Sequence, residues 1–336
     1  MTVHNDLRFL DAAVESILVQ DFKDLELIIV DDGTHQGAVM ERLVERDPRI
    51  CLIVNAENLG AAAAANRGIE HARADIIARL DADDIAEPRR IHRLLSALDD
   101  DPQLGVVGTW FGTMTENGKP SETIRLPTND LEVRWCLLFS NPFCHSSVAF
   151  RRTCFDAVGG YRPELRTLED YDLWFRLLTV CRAGNIPEPL TRYRLNSKGL
   201  TATRGADPTV MDALRERYWR ELGIPFDRAV ARHIAIFVAG YDILPKERRP
   251  EVFAALLKLL CRFLSTHRLD RREDRLVARR LVRETIARIQ SQHFMPLAIL
   301  TEIRRLTGRS YLLPAVIGLL QGITLRFCSR PGGQSQ

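Results

Sequence analysis

Glu26-Leu-Ile-Ile-Val-Asp-Asp-Gly33 is the stretch on which the fold turns. Leu27 to Val30 is apolar without alternation and stops at two carboxylates and a glycine. A strand buried on both faces of a parallel sheet ends at a loop in this way. Asp75-Ile-Ile-Ala-Arg-Leu-Asp-Ala-Asp-Asp84 repeats the pattern. Between the two lie a helical segment, Ala38 to Glu45, a strand, Ile50 to Val54, and a turn, Asn58-Leu-Gly60, that opens an alanine-rich helix, Ala61 to Ala72. Upstream, Leu10, Val14, Ile17 and Leu18 share one face of a helix over Leu7 to Val19, which Asn5 or Asp6 can cap. Downstream, Pro88 opens another helix and Leu104 to Phe111 reads as a fourth strand. Strands alternating with helices of this length predict βαβ units and a mostly parallel sheet, an α/β fold.

From about Lys119 the alternation stops. A helix over Asp130 to Phe139, a short strand over Ser146 to Arg151 and a helix over Glu169 to Val180 are expected, the last with Leu173, Leu177 and Leu178 inward and Trp174 and Phe175 in the core. Residues 207–323 read as about six helices with no strand. The Gly199 to Pro208 region is the expected boundary, giving domains 1–203 and 204–336.

The 336 residues are 46% hydrophobic and 27% charged, which places the chain among globular proteins of about two domains. Its seven scattered cysteines form no C-x-x-C pair, which argues against a disulfide framework and a cysteine zinc site. No stretch reaches the roughly 18–20 apolar residues of a membrane span. Tyr311 to Leu320 is short and holds Pro314 and Gly318. No basic segment followed by an apolar run reads as a secretory signal, so a cytoplasmic protein is expected. Residues 201–336 carry 24 Lys and Arg against 13 Asp and Glu, a net of +11, whereas residues 1–200 carry −8. The acidic part is a poor nucleic-acid binder and a natural metal binder, and the basic part suits an anionic membrane surface on the inner face.

Ligands of open α/β sheets bind outside the carboxyl ends of the strands. Asp31-Asp32 and Asp81-x-Asp83-Asp84 stand at two such ends. Hard oxygens clustered there suit Mg²⁺ or Mn²⁺, which also hold substrate phosphates. Asp-rich turns and helix caps are the plain alternative. Glu169 and Asp170 open a helical pattern and are also explained as first-turn acids favoured by the helix dipole.

The ordered set MTVHN (1–5), VESILVQDFKDLELIIVDDG (14–33), NLGAAAAANRGIEHA (58–72), IIARLDADD (76–84), NPFCHSSVAFRR (141–152), VGGY (158–161) and LEDYDLWFRLL (168–178) resembles the family-2 glycosyltransferases of the GT-A fold over about residues 1–195. The resemblance implies a GT-A domain, followed here by the helical, basic C-terminal region. Thr2, His4 and Asp32 would hold the base of a nucleotide-sugar, and Asn58 and Asn66 would lie on a nucleotide-facing loop. Asp83 of the D-x-D would be the main metal ligand, with Asp81 or Asp84 on the ribose or on metal-bound water. Asp170 would be the catalytic base, with Glu169 beside it, and His145 would lie near the acceptor. The implied activity is a metal-dependent, inverting transfer of a sugar from a UDP- or dTDP-sugar to a hydroxyl. The acceptor would be a growing cell-surface glycan or a lipid-linked one.

Two departures from the family pattern stand out. Asn196 follows Tyr193-Arg194-Leu195 where family members often carry a His, and the chain starts at Met1, in the middle of the apolar first strand with which family members usually begin. The helix from Leu7 to Val19 needs a preceding strand to complete a crossover, so a stub at Thr2-Val3 with a gap beside it, and a start assigned too late, are expected. An inactive or binding-only nucleotide-sugar protein is the alternative. A phosphoacceptor signalling domain is disfavoured because no Lys occurs between Lys23 and Lys119, and a nucleotidyltransferase because Asn5-Asp6-Leu7 replaces a Gly-rich basic loop.

Overall fold

Thr2–Val3 (β1) and Leu27–Asp32 (β2) pair in parallel, and Ile50–Asn55 (β3) joins β2 on its other side. Leu10–Leu18 (α1) connects the first pair and Gly37–Arg46 (α2) the second. Ala61–His71 (α3) follows β3. Its small residues let the helix lie close on the sheet, for a Cβ at Gly68 would come within 2.9 Å of Val30 Cγ2. The computed structural model describes residues 1–291 apart from 204, 206, 241–243 and 268. It has two units, one of residues 1–137 and 141–214, the other of residues 138–140 and the chain from Arg215.

A second sheet of the first unit contains Ile76–Ala78 (β4) and Ile85–Ala86 (β5), followed by the helix Arg90–Asp100 (α4). Next come Leu104–Thr115 (β6), Pro120–Ile124 (β7), the helix Asp130–Leu137 (α5) and Ala149–Arg151 (β8). The helices Arg152–Ala157 (α6) and Glu169–Leu177 (α7) lead to Arg182–Leu195 (β9). The strand order is β4-β8-β6-β9-β5, with β7 on β6. The parallel arrangement expected from the alternation holds for β1–β3 and for β6 with β9, but the other pairings of this sheet are antiparallel. The domain is therefore a mixed α/β sheet with flanking helices.

Three strands carry no sequence signal of the usual kind. β5 has two residues and β7 is polar. β9 contains Pro187 and Pro189, which suppress a strand pattern, and its ladder with β6 shifts register between Thr109 and Phe111, where Pro189 faces Trp110.

β1 and β4 share no ladder, so the domain holds two separate sheets. Side chains join them: Val3, Leu10, Val14, Leu27, Ile29, Leu80 and Ala86 belong to one buried cluster. Val30, Ile53 and Ala64 form the core on the opposite face of the first sheet.

After the short helix Leu200–Thr203 (α8) come Pro208–Glu221 (α9), Arg228–Val238 (α10), Arg249–Thr266 (α11) and Arg272–Ser291 (α12). Asp227 caps α10 by accepting from the Val230 amide at 2.8 Å. The Phe237 and Phe253 rings, 5.0 Å apart, join α10 to α11. Arg272, Arg275, Arg279 and Arg283 recur at helical spacing on α12 and are all exposed. Among the described residues no helix is long and apolar enough to cross a membrane. Tyr311 to Leu320 and the rest of the expected tail beyond residue 291 lie outside the described residues.

Candidate active site

The register of the first sheet builds one end of the site. Val3 faces Asp31 and Asp32 faces Asn55. His4 is thereby brought to the Asp32 carbonyl, to which its Nδ1 donates at 2.8 Å. The Asp32 carboxylate is buried and accepts three hydrogen bonds, from Asn55 Nδ2 at 2.7 Å and from the Leu59 and Gly60 amides at 2.9 Å. A carboxylate has about four acceptor positions, so Asp32 clips the Asn55–Gly60 turn to the sheet with three of them. Gly33, at φ +74, lies under this turn, where a Cβ would meet the Glu57 carbonyl carbon at 2.7 Å and the Asn58 nitrogen at 2.8 Å. Asn58 is exposed on the turn, and Thr2 is half-buried in β1. Asn66 is half-buried on α3. Its Nδ2 donates to the Tyr161 carbonyl at 2.8 Å and its Oδ1 accepts from the Tyr161 amide at 2.9 Å. It fastens α3 to the Gly159-Gly160-Tyr161 turn.

The other end is built on β4. Arg79 and Asp81 are two residues apart in extended chain and point to one side. They form an ion pair of 2.8 Å. Burial works against the Asp81 anion, but Arg79 and then His145 outweigh it and hold the carboxyl below its ordinary value. Asp83 and Asp84 are pushed the other way, by burial first and by the neighbouring carboxylates next. Asp84 is fully buried. Its Oδ1 accepts from the Arg194 amide at 2.7 Å, while Oδ2 has no hydrogen-bond partner among the described residues. Asn196 Nδ2 donates to Asp83 Oδ2 at 2.9 Å, and Arg194 Nε holds the Asp83 carbonyl at 2.8 Å.

Opposite them stands the first turn of α7. Leu168, at its N-cap, has φ +64, a left-handed conformation costly for a branched residue. Asp170 Oδ2 accepts from Asn141 Nδ2 at 2.6 Å and Oδ1 from the Tyr171 amide at 2.7 Å. Burial, then the charge of Asp170, push the Glu169 carboxyl up to about 7. His145 Nε2 accepts from the Tyr161 hydroxyl at 2.7 Å and from Arg79 Nε at 3.3 Å, which leaves the proton on Nδ1. Burial and the adjacent Arg79 lower the His145 pKa.

Asp81, Glu169 and Asp170 all act on the charge of Arg79, so the D-x-D end and the Glu-Asp pair share one electrostatic site around this guanidinium. Arg79 was not singled out from the sequence, although an arginine inside the run Ile76-Ile-Ala-Arg-Leu80 was the available signal. Asn55, Asn141 and Tyr161 were also unassigned. Three asparagines each donate to one carboxylate, Asn55 to Asp32, Asn141 to Asp170 and Asn196 to Asp83. Each amide is oriented by a donor on its oxygen: Arg67 on Asn55, the Phe143 amide on Asn141 at 3.1 Å, and the Lys198 amide on Asn196 at 3.0 Å.

Among the described residues no three His, Cys, Asp or Glu side chains converge as a preformed metal cage. The donor chemistry nonetheless fits a hard divalent ion, since Mg²⁺ is ordinarily held by one or two carboxylates together with phosphate oxygens. Asp81 is taken by Arg79. Among the described residues the Asp83 carboxylate meets one side chain, the neutral amide of Asn196, and burial disfavours its anion.

The chain is 34% identical over 203 residues to EpsE of Bacillus subtilis (strain 168), itself assigned as a glycosyltransferase, a match covering 59% of this chain and 72% of EpsE. It is 32% identical over 205 residues to the Escherichia coli O-antigen biosynthesis glycosyltransferase WbnJ, covering 59% and 79% of the two chains. The family model described as glycosyl transferase family 2 matches residues 1–159. The chain belongs to glycosyl transferase family 2. It is also 30% identical over 200 residues to the amylovoran biosynthesis glycosyltransferase AmsE of Erwinia amylovora, covering 58% of this chain and 74% of AmsE. The transferase shares its fold with S. aureus TarS 1–349, solved in complex with UDP-GlcNAc. That likeness has a TM-score of 0.56 at 14% identity and covers 78% of this chain and 80% of that one. The fold is GT-A, and the protein is an enzyme, a glycosyltransferase.

Proposed function

We propose that the transferase moves a sugar from a UDP- or dTDP-linked donor to a hydroxyl of a growing cell-surface glycan or lipid-linked acceptor, with inversion at the anomeric carbon. The observation that carries this reading is the shared site around Arg79, which pairs with Asp81 of the D-x-D at 2.8 Å and also feels the charges of Glu169 and Asp170. The names of WbnJ and AmsE support a polysaccharide acceptor.

Asp32, His4, Thr2 and the Asn58 turn would hold the nucleoside. Asp83 would hold a Mg²⁺ or Mn²⁺ ion, with Asp84 behind it. When bound, such an ion neutralises charge on the departing diphosphate. Asp170 takes the proton of the acceptor hydroxyl on a remaining lone pair, while that oxygen attacks the anomeric carbon from the face opposite the diphosphate. One carbon–oxygen bond forms as the other breaks, so the sugar inverts in a single displacement. His145 and Tyr161 orient Arg79 beneath the site. The exposed arginines of α12 fit a peripheral position on the anionic inner face of the membrane.

Hydrolysis of a panel of UDP- and dTDP-sugars, with and without Mn²⁺, tests the reading. Proton NMR of the freed sugar reads its first-formed anomer. Turnover that ignores the metal, or a retained anomer, contradicts it.

A further inference from the structure

Asn141 opens the turn that precedes the His145–Ser147 helical turn, and Pro142 follows it without an N–H. Its Oδ1 accepts from the Phe143 amide at 3.1 Å, which closes an Asx-type turn and fixes the amide orientation. Nδ2 must then point the other way, and it meets Asp170 Oδ2 at 2.6 Å. Phe143 is buried and packs edge-on against Trp174, with ring centroids 5.3 Å apart. Trp174 lies one helical turn after Asp170 and so on the same face of α7. The Tyr171 hydroxyl donates to the Leu137 carbonyl at 2.5 Å and ties the same helix to the end of α5. The turn carrying Asn141 is thus registered against α7 by a ring contact beside the amide contact.

We infer that Asn141 is the positioning residue of Asp170: its oriented amide fixes the plane of the carboxylate while leaving the charge intact. The inference rests on the reading of Asp170 as the base. The partner's neutrality is the point. Asp172, two residues on, is fully buried between Arg162 at 3.0 Å and Arg176 at 2.7 Å and is neutralised by them. Among the described residues no such cation pairs with Asp170 directly. With the Tyr171 amide on Oδ1 and Asn141 on Oδ2, neither oxygen can rotate, and each keeps a lone pair for an acceptor hydroxyl. The other groups that act on this carboxylate are Glu169 beside it and Arg79, His145 and Tyr161 across the site.

The test uses the full chain, selectively labelled with ¹³C at aspartate carboxyls, with Asp170→Asn to assign the Asp170 signal. In Asn141→Ala a hydrogen bond to the anion is lost, so Asp170 should titrate about one pH unit higher. The acid limb of kcat for donor hydrolysis, measured over the same UDP- and dTDP-sugar panel, should move with it, with donor KM within about twofold. In Asn141→Asp two carboxyls share a proton, so the Asp170 signal should rise by more than two units. Activity lost at pH 7 should then be partly regained at pH 9. An Asp170 titration that is unmoved in both folded variants overturns the inference. If Asp170→Asn turns over the donor normally, the base assignment fails, while the carboxyl titration still decides whether Asn141 holds Asp170.

Discussion

Asn196 donates its side-chain amide to Asp83 Oδ2 at 2.9 Å across 113 residues of sequence. Its own Oδ1 accepts from the Lys198 amide and, at 3.3 Å, from Arg8 Nη2. The position where the family resemblance leads one to expect a histidine therefore holds a group that aims the D-x-D carboxylate without neutralising it. A hard ion bound at Asp83 would gain an oriented ligand oxygen, with the nearby Arg194 guanidinium held on the Asp83 carbonyl.

Asp83→Ala should abolish Mn²⁺-dependent binding of the donor and lower turnover by at least about 10²-fold. Calorimetric titration of UDP with and without Mn²⁺ reads the first effect. Binding that keeps its metal dependence in the variant would remove Asp83 from the metal site.

Asp170→Asn preserves size and loses the proton acceptor. Transfer should fall by roughly 10²-fold or more while UDP affinity stays within about twofold. A parallel loss of both would make Asp170 a binding residue and not the base.

Glu169 predicts a pH dependence of stability. Its folded-state value of about 7 lies above the ordinary 4.5, so the native protein holds this proton more tightly than the unfolded chain does. The associated stability is fully present below pH 4.5 and is lost as pH rises through 7. Glu169→Gln mimics the protonated acid. The variant should match wild type at pH 4 and exceed it by about 2 kcal/mol at pH 8. Thermal unfolding at the two pH values measures the gap, and a gap that does not widen with pH contradicts the burial argument.

Asp172→Ala would strand Arg162 and Arg176, of which Arg176 also holds the Val158 and Gly160 carbonyls. Breaking a buried pair by removing one partner costs about 3–5 kcal/mol. Urea unfolding should show a loss of that size, against a small effect for Asp47→Ala, whose partner Arg49 lies at a partly exposed surface. Equal losses would mean that the buried cluster is not what anchors α7.

The combined change of Arg272, Arg279 and Arg283 to Gln removes three exposed charges from α12. At about 1 kcal/mol per basic residue near an anionic surface, binding to phosphatidylglycerol-containing vesicles should fall about 10²-fold. Co-sedimentation across a salt series reads it. Unchanged or salt-independent binding argues against a membrane-surface role for this helix.

The readable part of the fold was the part whose signals are local. β2, β3, α2 and α3 follow apolar runs, turn residues and helical spacing, and their bounds fall within two residues of those expected. β9 was illegible because its prolines and charges make sense only beside β6, where register shifts absorb them. At the site, the carboxylates could be named because residue type and strand end coincide. Their partners could not. Whether an aspartate meets an asparagine or an arginine depends on contacts as distant as Asn196 with Asp83, and no local periodicity encodes these. The same holds for Asn66, whose amide on α3 meets a backbone carbonyl 95 residues away.

The missing ladder between β1 and β4 has a mechanical consequence. Asp32 belongs to one sheet and the D-x-D follows a strand of the other, and the seam between them is closed by apolar side chains, which resist sliding less than directional backbone bonds do. A nucleotide gripped by Asp32 at its base and by Asp83 at its phosphates would act as a rivet across that seam. Ligation should then slow amide exchange in β1 and β4 together, although β4 need not touch the ligand.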